Sequence, residues 1–360
     1  MKVLVTGVGG QLGHDVMNEL AKRGCEGVGS DIQPEYAGVS DGTPVTKMPY
    51  ISLDITDKEA VMAAAEKIRP DVIVHCAAWT AVDLAEDDDK VAKVRAVNVG
   101  GTRNMADAAK AVDAKIVYLS TDYVFDGQGT APWNPDFKGY KPLNVYGQTK
   151  LDGELAVSNT VDKYFIVRIA WVFGKNGRNY IKTMLNIGKS HDELRIVDDQ
   201  IGTPTYTFDL ARLLVDMIET EKYGYYHATN AELPASEGGY YLDGTKADAG
   251  AGDTDVFTAK DGSIHSVSEA VYTREGTRTG YISWYDFSRE IFRQAAALGH
   301  PEYDADHLKL TPVTTAEYGL SKAKRPYNSR LDKSKLIKAG FTPLPDWRDA
   351  VSRYLKELDF

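Results

Sequence analysis

The chain has 360 residues, 43% hydrophobic and 26% charged, with a formal net charge of −10 from 52 acidic and 42 basic side chains. This is the composition of an ordinary globular protein, long enough for one large domain with a smaller companion. A negative surface repels phosphate backbones, which argues against general nucleic-acid binding but still allows a few local donors to hold one nucleotide.

No apolar run approaches the length of a bilayer, so no membrane partner is expected. The chain enters a strand at Lys2 with no charged leader before it. Cys25 and Cys76 are the two cysteines. With no metal-ligand spacing around them they read as reduced core thiols, and a reducing cytoplasm is the expected compartment.

In chain order, Val3-Leu4-Val5 reads as a strand and residues 11–22 as a helix with Leu12, Val16 and Leu20 on one face. Strands follow at 26–31 and 50–53, and a helix at 58–68 presents Val61, Ala65 and Ile68 before Pro70 closes it. Then come a strand at 72–75, a long helix at 91–111, a strand at 116–119, a helix at 146–157 and a strand at 165–169. Strands that are apolar throughout and separated by helices indicate a parallel sheet covered on both faces. The expected fold is therefore α/β, a Rossmann-type doubly wound sheet with a smaller C-terminal α/β domain.

The first domain is placed at 1–171, with excursions through 172–230, and 172–360 is read as mainly substrate-binding. Helices are expected at 180–187, 208–218, 284–298 and 347–358. Between 232 and 280 the chain turns rich in Gly, Asp, Thr and Ser. Short alternating pieces such as 255–258 and 270–273 make this an insertion, partly β-hairpin and peripheral.

Between the first strand and the first helix lies Gly7-Val8-Gly9-Gly10-Gln11-Leu12-Gly13, with glycines three apart at 7, 10 and 13. Such a loop permits a tight turn, lets the backbone approach a pyrophosphate and lets the helix pack close to the strand. The diphosphate then rests on the free N–H groups at the helix start. Asp31 closes the second strand, where a carboxylate reaches ribose hydroxyls or else is a solvated turn residue. No Arg or Lys follows it closely to receive a 2′-phosphate, which favours NADH. Asp54-Ile55 suits an adenine edge, and Cys76-Ala77-Ala78-Trp79-Thr80 is small enough to wall a cofactor.

Tyr146 and Lys150 are four apart on one face of a helix. A free phenol titrates near 10, and an adjacent ammonium is expected to lower that value towards its working range. The pair can also be an ordinary surface contact. Its weight comes from Thr121, which ends the fifth strand at the ligand-binding edge of such a sheet and can bond a carbonyl oxygen also approached by Tyr146.

With these residues in place the chain resembles the extended short-chain dehydrogenase/reductase superfamily and, within it, is similar to the dTDP-4-dehydrorhamnose reductases. The matching segments are Gly10-Gln11-Leu12-Gly13, residues 77–83, Ser120-Thr121-Asp122-Tyr123-Val124-Phe125-Asp126-Gly127 and Tyr146-Gly147-Gln148-Thr149-Lys150. Residues 168–174, 199–205 and Arg325-Pro326-Tyr327-Asn328-Ser329-Arg330-Leu331-Asp332 continue the match.

The resemblance implies hydride transfer from NADPH or NADH to C4 of dTDP-4-dehydro-6-deoxy-L-mannose. Tyr146 would be the proton donor, Lys150 would tune it and hold the ribose, and Thr121 would polarise the carbonyl. It places Thr121, Asp122 and Trp171 on the sugar, and Gly10, Gln11, Leu12, Asp31, Asp54, Ile55, Ala78, Trp79 and Thr80 on the dinucleotide. Arg325 and the neighbourhood of Arg178 would meet the diphosphate or base, although Arg325 suits an interdomain ion pair equally well and Trp171 suits the core.

His75 reads as a structural histidine, and Glu86-Asp87-Asp88-Asp89 as a solvated loop or helix start and not a metal site. A 4,6-dehydratase or epimerase is the rival enzyme, but Tyr123 stands where a dehydratase would carry a glutamate. A non-catalytic subunit resembling the regulatory subunit of methionine adenosyltransferase is the rival of another class. A monomer or homodimer fits either.

Overall fold

The computed structural model describes residues 1–232, 256–258, 264–266 and 280–360. These fall into two compact units that interleave along the chain. One comprises 1–179, 204–229 and 320–344, and the other 180–203, 230–319 and 345–360.

The first unit is built on seven parallel strands: β1 (Lys2–Thr6), β2 (Glu26–Asp31), β3 (Tyr50–Ser52), β4 (Val72–His75), β5 (Lys115–Thr121), β6 (Tyr164–Ile169) and β7 (Gly224–His227). Their order across the sheet is β7-β6-β5-β4-β1-β2-β3. Alternation along each strand sends apolar side chains to both faces, so both need a helical cover. Val3, Val5, Val72, Val74, Val117 and Phe165 pack with Val16 and Leu20 of α1 (Gln11–Lys22) and with Leu210 and Leu214 of a helix over Thr207–Ile218. Leu4, Ile73, Ile116, Tyr118 and Ile166 face the other way, onto α2 (Lys58–Ile68), the helix over Thr102–Ala111 and α3 (Val145–Ser158).

The chain reverses its winding between β1 and β4, and the ends of these two strands form the switch point at which such sheets bind ligands.

Three features depart from the sequence reading. The long helix expected over 91–111 is interrupted: a helix over Asp88–Arg95 passes through a wider π turn at Ala96–Gly101 before resuming at Thr102. β7 was not foreseen; Tyr225 and Tyr226 lie on it and pack into opposite faces of the sheet. Finally, residues 204–229 rejoin the first unit within the stretch where excursions were expected, whereas the return of 320–344 falls in the part read as substrate-binding. The helix over Thr207–Ile218 covers the sheet, and Leu336, Phe341 and Leu344 enter the same core.

In the second unit, Glu193–Val197 pairs in parallel with Lys309–Val313, and Ile201–Gly202 pairs antiparallel with Ile282–Ser283. Its helices include Tyr180–Gly188, Trp284–Ala297 and Trp347–Leu355. The Trp284 helix starts in a capping box, Ser283 with Asp286, and buries Phe287 against Trp347. Within the expected insertion, Val256–Thr258 pairs antiparallel with Ile264–Ser266 as a β-hairpin. The alternating piece at 270–273 lies outside the described residues. Among the described residues, no helix is long and apolar enough to cross a membrane.

Candidate active site

The glycine loop occupies the switch point. Gly7 has φ +72°, and a Cβ there would stand 2.7 Å from the backbone nitrogen of Ala77. A Cβ on Gly13 would come within 2.4 Å of the Gly7 carbonyl oxygen, so only glycine lets α1 pack this close to β1. Gly10 is the N-cap of α1 and supplies no side-chain acceptor, and the first helical turn carries no acid. The N–H groups and positive end of the helix are left for an anion.

Asp31 sits at the end of β2, where its carboxylate accepts the Gly9 N–H at 2.9 Å and the Ile32 N–H at 2.8 Å. Gln11 Oε1 accepts from Asn179 Nδ2 at 3.0 Å, and Leu12 is buried in the core. Asn176 donates to the Gly9 carbonyl at 2.9 Å and the Gly10 carbonyl at 3.3 Å. These two asparagines brace the loop from more than 160 residues away. Neither is legible in the sequence, because two asparagines in a polar loop carry no spacing signal, unlike the charged Arg178 between them.

Beyond β3, Asp54 turns its carboxylate onto Thr56, accepting the backbone N–H at 2.9 Å and the hydroxyl at 2.7 Å. Ile55 is buried against the Cβ position of Gly101. After β4, Ala77, Ala78 and Trp79 are half-buried and Thr80 is exposed. That loop is fixed by a residue the sequence reading passed over. Asn98, in the π turn, accepts the Trp79 N–H at 2.7 Å and donates to the Trp79 carbonyl at 3.1 Å and to Thr149 Oγ1 at 3.0 Å. It thereby joins the wall to the helix that carries Tyr146 and Lys150. His75 is held at both ring nitrogens, by Thr6 at 2.8 Å and Thr102 at 3.2 Å, and burial pushes it down to about 3.

Tyr146 and Lys150 occupy the first turns of α3. Asn144 caps this helix by accepting the Gly147 N–H at 2.7 Å, and Glu86 accepts the Val145 N–H at 2.7 Å. Glu86 of the acidic run is therefore a helix anchor, and Asp87 pairs with Lys322. Further along, Glu154 makes a fully buried, two-pronged pair with Arg168 of β6, both contacts at 2.7 Å, which locks α3 to the sheet. Arg168 also donates to the Pro135 carbonyl and Tyr140.

Thr121 ends β5 with its hydroxyl donating to Asp122 Oδ1 at 3.0 Å. Asp122 is 1% exposed, and burial raises its carboxyl to about 6. Tyr123 packs edge-on against Tyr146, with ring centroids 5.6 Å apart.

The electrostatics correct one expectation. Tyr146 is raised, not lowered: burial is the main cause, with the charges of Asp122 and Tyr123 adding to it. Lys150 is 4% exposed and lies 4.2 Å from the centroid of the Tyr118 ring, and burial brings it down to about 7. Desolvation is the largest influence on both members of the pair. The consequence is a phenol held protonated at neutral pH, the state that a proton donor requires.

Trp171, just past β6, has φ +51°, an uncommon backbone for a bulky residue, and packs beside Phe125, Leu151 and Leu331. Arg325 is engaged within the first unit: it donates to Asp83 at 2.6 Å, Tyr123 at 3.1 Å and Ser321 at 3.3 Å. The structure thus brings Thr121, Asp122, Tyr146 and Lys150 to one corner, with the glycine loop and the wall at the neighbouring strand ends.

The family described as RmlD substrate binding domain matches residues 1–236 and 260–360. The chain belongs to this family. Residues 237–259 fall outside the match. The dTDP-4-dehydrorhamnose reductase of Escherichia coli K12 is 33% identical over 361 residues, covering 99% of this chain and 98% of the relative. A dTDP-4-keto-6-deoxy-D-glucose reductase of Streptomyces niveus is 37% identical, covering 97% and 95%. A crystal structure of dTDP-4-dehydrorhamnose reductase from Bacillus anthracis in complex with NADP is 32% identical, covers 99% of both chains and superposes with a TM-score of 0.74. The family match runs through both compact units of this chain.

Proposed function

We propose that the protein is a cytoplasmic, NAD(P)H-dependent reductase of the C4 keto group of dTDP-4-dehydro-6-deoxy-L-mannose, forming dTDP-L-rhamnose. The observation that carries this reading is the placement of Tyr146, half-buried in the first turn of α3 with Lys150 on the same helix, packed edge-on against Tyr123 beside the Thr121–Asp122 pair at the end of β5. Near-full-length likeness to reductases of that name supports it.

A dinucleotide fits the strand ends. Gly7, Gly10, Gln11, Leu12 and Gly13 offer the diphosphate a bare helix start, Asp31 reaches the ribose, and Asp54, Ile55, Ala77, Ala78, Trp79 and Thr80 line the path towards the nicotinamide. When bound, the reduced nicotinamide supplies the hydride. Tyr146 donates its proton to the C4 oxygen as the carbonyl becomes a carbinol, and the Thr121 hydroxyl, released from Asp122, donates to the same oxygen. Lys150 holds the nicotinamide ribose. Asp122 and Trp171 position the sugar.

Arg325 does not serve the diphosphate, because Asp83 and Tyr123 already hold it. The Bacillus anthracis relative is named in complex with NADP, whereas Asp31 with no basic residue close behind it favours NADH. A second reading, reduction of dTDP-4-keto-6-deoxy-D-glucose, is favoured by the Streptomyces niveus relative.

Oxidation of NADH and NADPH followed with both keto sugars separates these readings. Tyr146→Phe should lower kcat by about 100-fold or more, the usual scale of a lost general acid. No turnover with either sugar, while nucleotide still binds, would favour the regulatory-subunit alternative.

A further inference from the structure

Asp122 is the most exposed to chance of the groups around Tyr146, because a buried carboxylate persists only where donors satisfy both oxygens. Its Oδ1 accepts the Thr121 hydroxyl at 3.0 Å, and its Oδ2 accepts the hydroxyl of Ser329 at 2.5 Å. Ser329 is 207 residues away in sequence and 2% exposed. The segment that carries it is anchored on both sides. Asn328 N–H donates to the Gly127 carbonyl at 2.9 Å, and Asn328 Nδ2 donates to the carbonyls of Ala131 at 2.9 Å and Gln128 at 3.3 Å. Beyond it, the Trp133 N–H donates to the Arg330 carbonyl and the Asp332 N–H to the Trp133 carbonyl, both at 2.9 Å.

The serine hydroxyl therefore has a fixed place and one buried acceptor. The same strap holds the neighbouring groups, with Arg325 on the Tyr123 hydroxyl and the Lys324 carbonyl on the Asn144 side chain that caps α3.

We propose that Ser329 is a positioning residue for the reduction: its hydroxyl holds the Asp122 carboxylate in the orientation that receives the Thr121 hydroxyl beside Tyr146. This rests on the function proposed above. Asp122 is faced by Tyr123 on its own turn and by Tyr146 from α3, with Arg325 and Asp83 beyond Tyr123. The Ser329 and Thr121 hydroxyls and the Asp122 and Tyr123 backbone N–H groups favour its charged form, while burial opposes it. Loss of the Ser329 donor should thus raise the pH at which Asp122 ionises and let its carboxylate swing. Both effects act on kcat and neither acts on the distant dinucleotide loop.

The test uses the full chain with NADPH, or NADH if preferred, and whichever 4-keto sugar supports turnover. Ser329→Ala should lower kcat about tenfold at neutral pH, leave the cofactor KM within twofold, and move the acidic limb of the kcat profile up by about one pH unit. Ser329→Thr, which keeps the hydroxyl, should restore most of both. Ser329→Cys, a weaker donor of similar size, should lie between, and it serves as the test if the alanine variant fails to fold. An unmoved profile in a folded Ser329→Ala or Ser329→Cys protein, or an equal loss in Ser329→Thr, overturns the role of Ser329 while leaving the reductase intact. A wild-type chain inactive on both sugars would instead overturn the underlying function and the positioning role with it.

Discussion

Lys150→Met offers a quantitative test of how the active corner is built. The lysine is 4% exposed and held at about 7 against an ordinary 10.5. At about 1.4 kcal/mol per pKa unit, burying its charge costs the free protein on the order of 4 kcal/mol at neutral pH. The ammonium regains part of this from the Tyr118 ring beneath it, at about 1–2 kcal/mol for a desolvated cation–π contact. Methionine keeps most of the stem and carries no charge, so the ligand-free variant should be more stable than wild type by about 2–3 kcal/mol.

The sign with pH follows from proton binding. Between about 7 and 10.5 the unfolded lysine holds a proton that the folded one releases, so wild-type stability rises with pH across that window. The advantage of the variant is therefore largest below pH 7 and shrinks towards pH 9 and above. Urea denaturation at pH 6.5 and pH 9, without cofactor, reads this directly. A variant no more stable than wild type at pH 6.5, or one whose advantage does not change with pH, would refute the claim that the desolvation of Lys150 outweighs the nearby Glu154 charge and the Tyr118 ring. Reduction should meanwhile be lost in the variant, which gives the stability gain a functional cost.

Two further outcomes test the surrounding frame. Asn98→Ala removes three hydrogen bonds and strands the Trp79 N–H. It should cost about 2–4 kcal/mol in denaturant unfolding and raise the cofactor KM more than the sugar KM; an equal change in both would mean that Asn98 does not hold the cofactor wall. Gly13→Ala places a Cβ 2.4 Å from the Gly7 carbonyl oxygen, a clash with backbone that cannot turn aside. NADPH or NADH affinity, followed by nucleotide fluorescence, should fall at least tenfold, and wild-type binding would show that α1 need not pack so close to β1.

Much of this protein was legible in its sequence because it rests on local rules. Apolar strands such as Val3–Val5 and Val72–Val74, separated by amphipathic helices, specify a parallel sheet through side-chain alternation alone. The glycines at 7, 10 and 13 announce a close backbone approach, and the spacing of Tyr146 and Lys150 puts them on one helical face.

Tertiary structure decided what depends on distant partners. Gly224–His227 joins the sheet because β6 offers it an edge, a property of the fold and not of those four residues. Asn98, Asn176 and Ser329 become structural only when folding sets them against Trp79, the glycine loop and Asp122. The direction of the Tyr146 pKa belongs to the same class. Sequence spacing supplies the neighbouring charge, but desolvation is set by everything packed around the ring, and here it prevails.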